Sequence, residues 1–281
     1  MKKRVITGIV AGILFIGVLF LMKTIVFPIV ISILSVIAVY EIEKTTGLNN
    51  FPVRALTVAV AAVIPFAVHY KLQLDISWYI TGGVFYVLAL LVCMLVLYEN
   101  TRFEQVIIAL FSSLCVPAAF SVMLLLRDIG QTYPGFTATD GVFWLLLGLF
   151  SSWITDIFAF FTGSKLGKHK LCPKISPKKT VEGAIGGIAG ALLFNLALLF
   201  VFDRFFFGAQ ESIIKYWQVA LLSVVLSVAS MCGDLCASTI KRNYGVKDFG
   251  NLLPGHGGIM DRFDSCLFVL PALYALVIQT V

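Results

Sequence analysis

The chain has 281 residues, 59% of them hydrophobic and 13% charged, with 21 Lys and Arg against 15 Asp and Glu. Water-soluble domains carry about 25% charged residues, so this chain has too little polar surface to enclose a soluble globule. The composition is that of a polytopic membrane protein. The net charge of +6 then belongs to loops on one side of a bilayer, and no nucleic-acid partner is expected.

The opening MKKR is basic and runs into apolar sequence with no small-residue cleavage site. It reads as the cytoplasmic anchor of a first span, not as a cleaved signal peptide. A spanning helix takes about 20 mostly apolar residues. Nine segments qualify: 5–22, 25–40, 55–68, 78–97, 106–126, 142–161, 183–202, 219–235 and 263–281. Only Lys23, Thr24 and Pro28 interrupt the first pair, so a tight hairpin is predicted there, and the third segment is short and holds Pro65. The predicted fold is all-α, with about nine transmembrane helices and catalytic cytoplasmic loops. Residues 1–140 are read as scaffold and lipid groove, residues 141–281 as the catalytic region.

With nine spans, sixteen of the 21 Lys and Arg fall on the side of the N-terminus and five on the other. The positive-inside rule puts the N-terminus and the loops around 163–182 and 236–262 in the cytoplasm. The cell membrane is the expected location. In GAIGGIAG, Gly183/Gly187 and Gly186/Gly190 form two offset small-xxx-small pairs that let the seventh helix approach a neighbour closely. Such glycines are also compatible with a homodimer. The six cysteines, Cys93, Cys115, Cys172, Cys232, Cys236 and Cys266, form no CxxC pair and read as packing residues.

Asp156, Asp234, Asp261 and Asp264 lie at or within membrane ends, where a charge at the bilayer centre costs at least about 2.5 kcal/mol. Four of them near the cytoplasmic ends of spans 6, 8 and 9 suggest a shared task. Asp261 and Asp264 are three apart and are predicted to face one side of a helix. Carboxylates that close repel unless a proton or a cation intervenes. With oxygen ligands only, the natural cation is Mg²⁺, held by carboxylates and substrate phosphates. The competing reading pairs the acids with Lys241, Arg242 or Arg262.

The loop GSKLGKHKLCPKISPKKTVEG carries six lysines, Lys178 and Lys179 among them. A basic membrane-surface patch is one reading. In SPKKT, however, Ser176, Pro177 and Thr180 are predicted to form a turn just before a helix start, holding Lys178 and Lys179 near backbone donors suited to a polyphosphate. The segment STIKRNYGVKDFGNLLPGHGG repeats the theme with Lys241, Arg242 and Lys247, then Gly250, Gly255, Gly257 and Gly258. Those glycines permit positive φ and close approach to a ligand, with His256 among them. No Ser-His-Asp order and no Walker loop occurs. Phosphoryl or nucleotidyl transfer with one partner in the bilayer is the implied chemistry.

The run S-x-x-K-R-x-x-x-x-K-D-x-G-x-x-x-P-G-H-G-G-x-x-D-R-x-D, Ser238 to Asp264, resembles the signature of phosphatidate cytidylyltransferases. GKHKLCPKISPKKTVEGAIGG at 167–187, GDL at 233–235 and Asp156 in span 6 support the likeness. Ile157 and Ser164 depart from it. The resemblance implies transfer of CMP from CTP to phosphatidate, giving CDP-diacylglycerol and pyrophosphate in phospholipid synthesis. It also implies Mg²⁺, and leaves open a second, monovalent cation such as K⁺. It assigns Asp234, Asp261 and Asp264 to the metal with Asp156 near them, and Lys178, Lys179, Lys241 and Arg242 to CTP or lipid phosphates. His256, Gly255, Gly257, Gly258 and Arg262 go to the nucleotide pocket. Rival readings are a CTP-dependent enzyme for another lipid phosphate, a prenyltransferase built on Asp261-x-x-Asp264, and a cation-coupled transporter using the intramembrane acids.

Overall fold

The structure, a computed structural model, describes residues 2–71, 75–207 and 214–280. Val281, the end of the last predicted segment, lies outside the described residues, as do Met1 and the side chains of Lys2, Lys3, Arg4, Val5 and Thr280. In chain order the elements are α1 (Lys2–Phe20), α2 (Val26–Thr45), α3 (Phe51–His69), α4 (Ile76–Val96), α5 (Phe103–Arg127), α6 (Ile129–Thr132) and α7 (Ala138–Leu166). A hairpin follows, β1 (Lys170–Cys172) and β2 (Ser176–Thr180), then α8 (Val181–Phe205), α9 (Tyr216–Asn243), α10 (Met260–Phe263) and α11 (Cys266–Val277).

Among the described residues seven helices, α2 to α5 and α7 to α9, are long and apolar enough to cross a membrane. The chain is therefore an all-α, multi-pass membrane protein. Ile6–Phe20 and Cys266–Val277 are apolar helices of shorter length. Each of the nine predicted segments is helical, but the ends differ. The last one is interrupted at Asp264, whose carboxylate accepts the Ser265 N–H (2.8 Å) and so competes with a continuous helix. Several helices outrun their apolar stretches because polar residues finish them. At the start of α7 the Thr137 hydroxyl accepts from Asp140 N (3.2 Å) while the Asp140 carboxylate accepts from Thr137 N (2.6 Å), a reciprocal capping box.

The chain divides into two compact units, Met1–Leu124 with Tyr244–Arg262, and Leu125–Asn243 with Phe263–Val281. In the first, Leu48, Val53, Tyr86, Leu90, Val106 and Ala109 form a buried cluster, and the Tyr86 hydroxyl meets Ser113 Oγ at 2.5 Å. Glu43, fully buried, pairs with Arg54 at 3.7 Å, and the Arg54 guanidinium lies 4.9 Å from the Tyr40 ring centre. Only 11% of the apolar stretch of α4 is covered, and Phe85, Leu95 and Val96 stand exposed. A helix apolar on all sides and uncovered by protein is a helix facing lipid.

In the second unit α8 lies along α7 through its glycines. A Cβ on Gly183 would stand 2.8 Å from Ala159 O, and one on Gly187 2.8 Å from Thr155 O. A Cβ on Gly186 would strike Thr162, and one on Gly190 the Phe158 ring. A polar seam completes the contact with α9. Asn195 Nδ2 donates to Ser151 Oγ (2.8 Å) and Ser223 Oγ (3.0 Å), and Thr155 Oγ1 donates to Ser227 Oγ (3.0 Å). These five residues are fully buried. Without water to compete, small residues and interhelical hydrogen bonds hold helices together in hydrocarbon.

Candidate active site

In the second unit Asp234 of α9 and Asp264 lie within electrostatic range of Asp156 of α7. Ser265 Oγ ties two of them, 3.3 Å from Asp156 Oδ2 and 3.5 Å from Asp264 Oδ1. The approach depends on Gly233, where a Cβ would stand 3.0 Å from Asp264 O and from Ser265 Cα. That explains why a glycine precedes Asp234. Two ammonium groups offset the acids. Lys179 Nζ is ion-paired with Asp234, and Lys241 Nζ lies 3.8 Å from Asp264 with both side chains 9% exposed. Unpaired buried carboxylates would be costly, so acid and base have to arrive together.

Lys179 comes from the hairpin. The SPKKT segment, predicted as a turn, is instead strand β2, paired antiparallel with β1 (Lys170 opposite Thr180, Cys172 opposite Ser176). Pro177 is tolerated because a two-stranded ribbon has only edges. Strand geometry sends successive side chains to opposite faces. Lys179 is accordingly half-buried against Asp234, and Lys178 is exposed. Thr180 ends the strand and caps α8, accepting from Gly183 N (3.1 Å). Glu182 anchors the hairpin base. Its carboxylate accepts from Lys168 N (3.0 Å) and His169 N (3.2 Å) and meets His169 Nδ1 at 2.6 Å. Arg242 Nε points at Ile175 O from 3.4 Å.

The first unit carries the glycine-rich loop. Leu253 N donates to Gly257 O (2.9 Å) and His256 N to Leu253 O (2.8 Å), closing a tight turn. Gly255 (φ 79°) and Gly257 (φ 84°) are left-handed, a conformation a side chain would strain. His256 sits between them with Nδ1 buried and without a hydrogen-bond partner. It lines a polar cleft of about 540 Å³ together with Lys247, Asp248, Asn251 and Arg262. Buried ring nitrogens are seldom left without a partner, which makes His256 a candidate contact for whatever enters the cleft. Asp261 is occupied by the loop itself: its Oδ2 accepts from Phe249 N (2.8 Å) and Gly258 N (3.0 Å).

The predicted residues therefore form two assemblies. Asp156, Asp234 and Asp264 stand with Lys179 and Lys241 in one unit. Gly255, His256, Gly257, Gly258, Asp261 and Arg262 stand in the other. Asp261 and Asp264 do not share a helix face, because α10 is only four residues long and ends at Phe263. Glu41 was not anticipated. It is 4% exposed, and its carboxylate accepts from Ile259 N (3.2 Å) and Met260 N (2.9 Å). The signal was present, since an acid at the end of an apolar run calls for a partner. Ending the second segment at residue 40 hid it. The cysteines described are all free.

Among the described residues no three His, Cys, Asp or Glu side chains converge into a ready ligand set. The donors of Asp156, Asp234 and Asp264 are all oxygens, the type a hard divalent cation takes, and Lys179 already balances part of their charge.

The profile of the cytidylyltransferase family matches residues 2–279. A phosphatidate cytidylyltransferase of Bacillus subtilis is 34% identical over 98% of this chain and 97% of its own length. One of Staphylococcus aureus is 34% identical over the full length of both chains. One of Staphylococcus haemolyticus is 44% identical over 58% of this chain, a match spanning 60% of that relative. Aligned from end to end with that profile and with two such relatives, the chain belongs to the cytidylyltransferase family.

Proposed function

We propose that the chain transfers CMP from CTP to phosphatidate, yielding CDP-diacylglycerol and pyrophosphate. The activity is the one its relatives are named for. The observation that supports it best is the grouping of Asp156, Asp234 and Asp264 with Lys179 and Lys241 in a unit built from membrane-spanning helices. One substrate dissolves in water and the other in the bilayer, so the reacting groups belong at the boundary.

In this reading a phosphatidate oxygen attacks the α-phosphorus of CTP. The bond from that phosphorus to the α–β bridging oxygen breaks, and pyrophosphate leaves. The attacking phosphate is already anionic near neutral pH, since a phosphomonoester has a second pKa of about 6, so no strong base is needed. Lys179, Lys241 and Arg242 stabilise charge on the phosphates, and the cleft at His256, Lys247 and Arg262 receives the nucleotide. Mg²⁺ held by Asp234 and Asp264, with Asp156 beside them, would supply charge neutralisation across the phosphates. Asp261 orders the loop. The basic loops face the cytoplasm, which supplies CTP, and the cell membrane supplies phosphatidate. The glycine face of α8 is filled by α7 of the same chain, so it offers no surface for a homodimer.

The test is incorporation of radiolabelled CTP into chloroform-soluble product, with and without phosphatidate. Label should appear only with phosphatidate and divalent metal, and Asp234→Asn should reduce it about 10²-fold or more. Full activity in that variant removes the carboxylate from the reaction. Labelling of a different lipid phosphate in preference to phosphatidate would move the assignment to a sister enzyme.

A further inference from the structure

We infer that Glu41, on a helix far away in sequence, is a positioning residue that presets the glycine-rich loop for its phosphate-bearing ligand. The inference rests on the loop's role in nucleotide binding proposed above.

Four observations converge, all within the first unit. The Glu41 carboxylate accepts the consecutive backbone N–H groups of Ile259 (3.2 Å) and Met260 (2.9 Å). Those two donors open α10, where an intrahelical partner is lacking, so an anion there fills an otherwise orphaned pair. Gly250 and Gly258 both press on the same carboxylate, and a Cβ at either would collide with it. One turn further along α2, on the same face, Thr45 Oγ1 donates to Phe249 O (3.2 Å). Asp261 Oδ2 in turn accepts from Phe249 N and Gly258 N.

The loop is thus held at residues 249, 258, 259 and 260 by two carboxylates, and the turn carrying His256 hangs between the fixed points. Gly250 and Gly258 acquire a reason separate from ligand approach: they make room for Glu41. A buried acid in a spanning helix is costly unless its acceptors are filled. Here they are filled by the loop, so helix and loop lock each other.

The test uses the full-length protein in detergent with Glu41→Gln and Glu41→Asp. The Gln amide retains one acceptor and presents donors to the second N–H. Loss of a charge-assisted hydrogen bond corresponds to about a tenfold or larger change in an equilibrium. The KM for CTP should therefore rise about tenfold or more in Glu41→Gln, while the KM for phosphatidate stays within about twofold. Amide hydrogen exchange across 249–262 should accelerate in the same variant without substrate. Glu41→Asp, which keeps the charge, should recover part of both. Gly258→Ala should reproduce the phenotype, and the double variant with Glu41→Gln should be little worse than either single one, because both break one contact.

Wild-type exchange together with a wild-type KM for CTP in Glu41→Gln overturns the inference. An equal rise in both KM values does so too, since that marks general damage. If Glu41→Gln does not fold, Glu41→Asp and Gly258→Ala carry the comparison by the same two readouts. If the wild-type chain does not use CTP at all, the nucleotide reading fails, and hydrogen exchange still judges the clamp.

Discussion

Lys178 and Lys179 are chemically identical neighbours with different surroundings. The strand pleat turns one to solvent and the other onto Asp234. Replacing Lys179 by Met should cut CMP transfer by about 10²-fold, since it removes a preorganised positive charge and leaves Asp234 uncompensated. Replacing Lys178 should cost less than about tenfold, as expected for a screened surface cation. Initial rates at saturating substrate distinguish the two, and equal losses would count against the inward role of Lys179. Both lysines stood out in the sequence as part of one basic loop. Their division of labour did not, because it depends on SPKKT being extended, and proline and lysine are poor strand formers without a pairing partner. Asp261 shows the same limit. Its spacing from Asp264 suggested one helix face, yet α10 ends too soon and the two carboxylates take different hydrogen bonds.

At the scale of elements, the contact between α7 and α8 depends on side chains that are missing. Gly186 and Gly190 leave space for Thr162 and Phe158. Gly190→Leu should destabilise the second unit by about 1–3 kcal/mol through overpacking, visible as a lower thermal transition in detergent. Asn195→Ala, which removes two interhelical hydrogen bonds, should cost about 1–2 kcal/mol by the same measurement. Unchanged transitions in both would mean that the seam contributes little. The glycine spacing was legible in GAIGGIAG, because small residues one turn apart have a single geometric consequence on a helix. The hydroxyl seam was not. Ser151, Thr155, Ser223 and Ser227 are scattered over two segments 72 residues apart, as the Thr155–Ser227 bond shows, and nothing in either segment names its partner.

Across the whole molecule, the bias of Lys and Arg to one set of loops implies an orientation. A cysteine replacing Lys168 in a cysteine-free background should react with a membrane-impermeant maleimide from the cytoplasmic face only. Reaction from the opposite face alone would invert the topology. Apolar run length and charge placement determined from the sequence alone that this chain is helical and crosses a membrane, because helices are the spanning form that satisfies every backbone group within one segment. The local pattern from Ser238 to Asp264 likewise carried the family resemblance, since glycines, acids and cations close in sequence can be recognised without the fold. Only the tertiary structure decided which groups meet: Lys179 with Asp234, Lys241 with Asp264, and Glu41 with the backbone of Ile259 and Met260. Each of the contacts of Lys179 and Glu41 joins residues far apart in the chain, and the partner of a buried charge is set by how helices pack, not by what lies beside it in sequence.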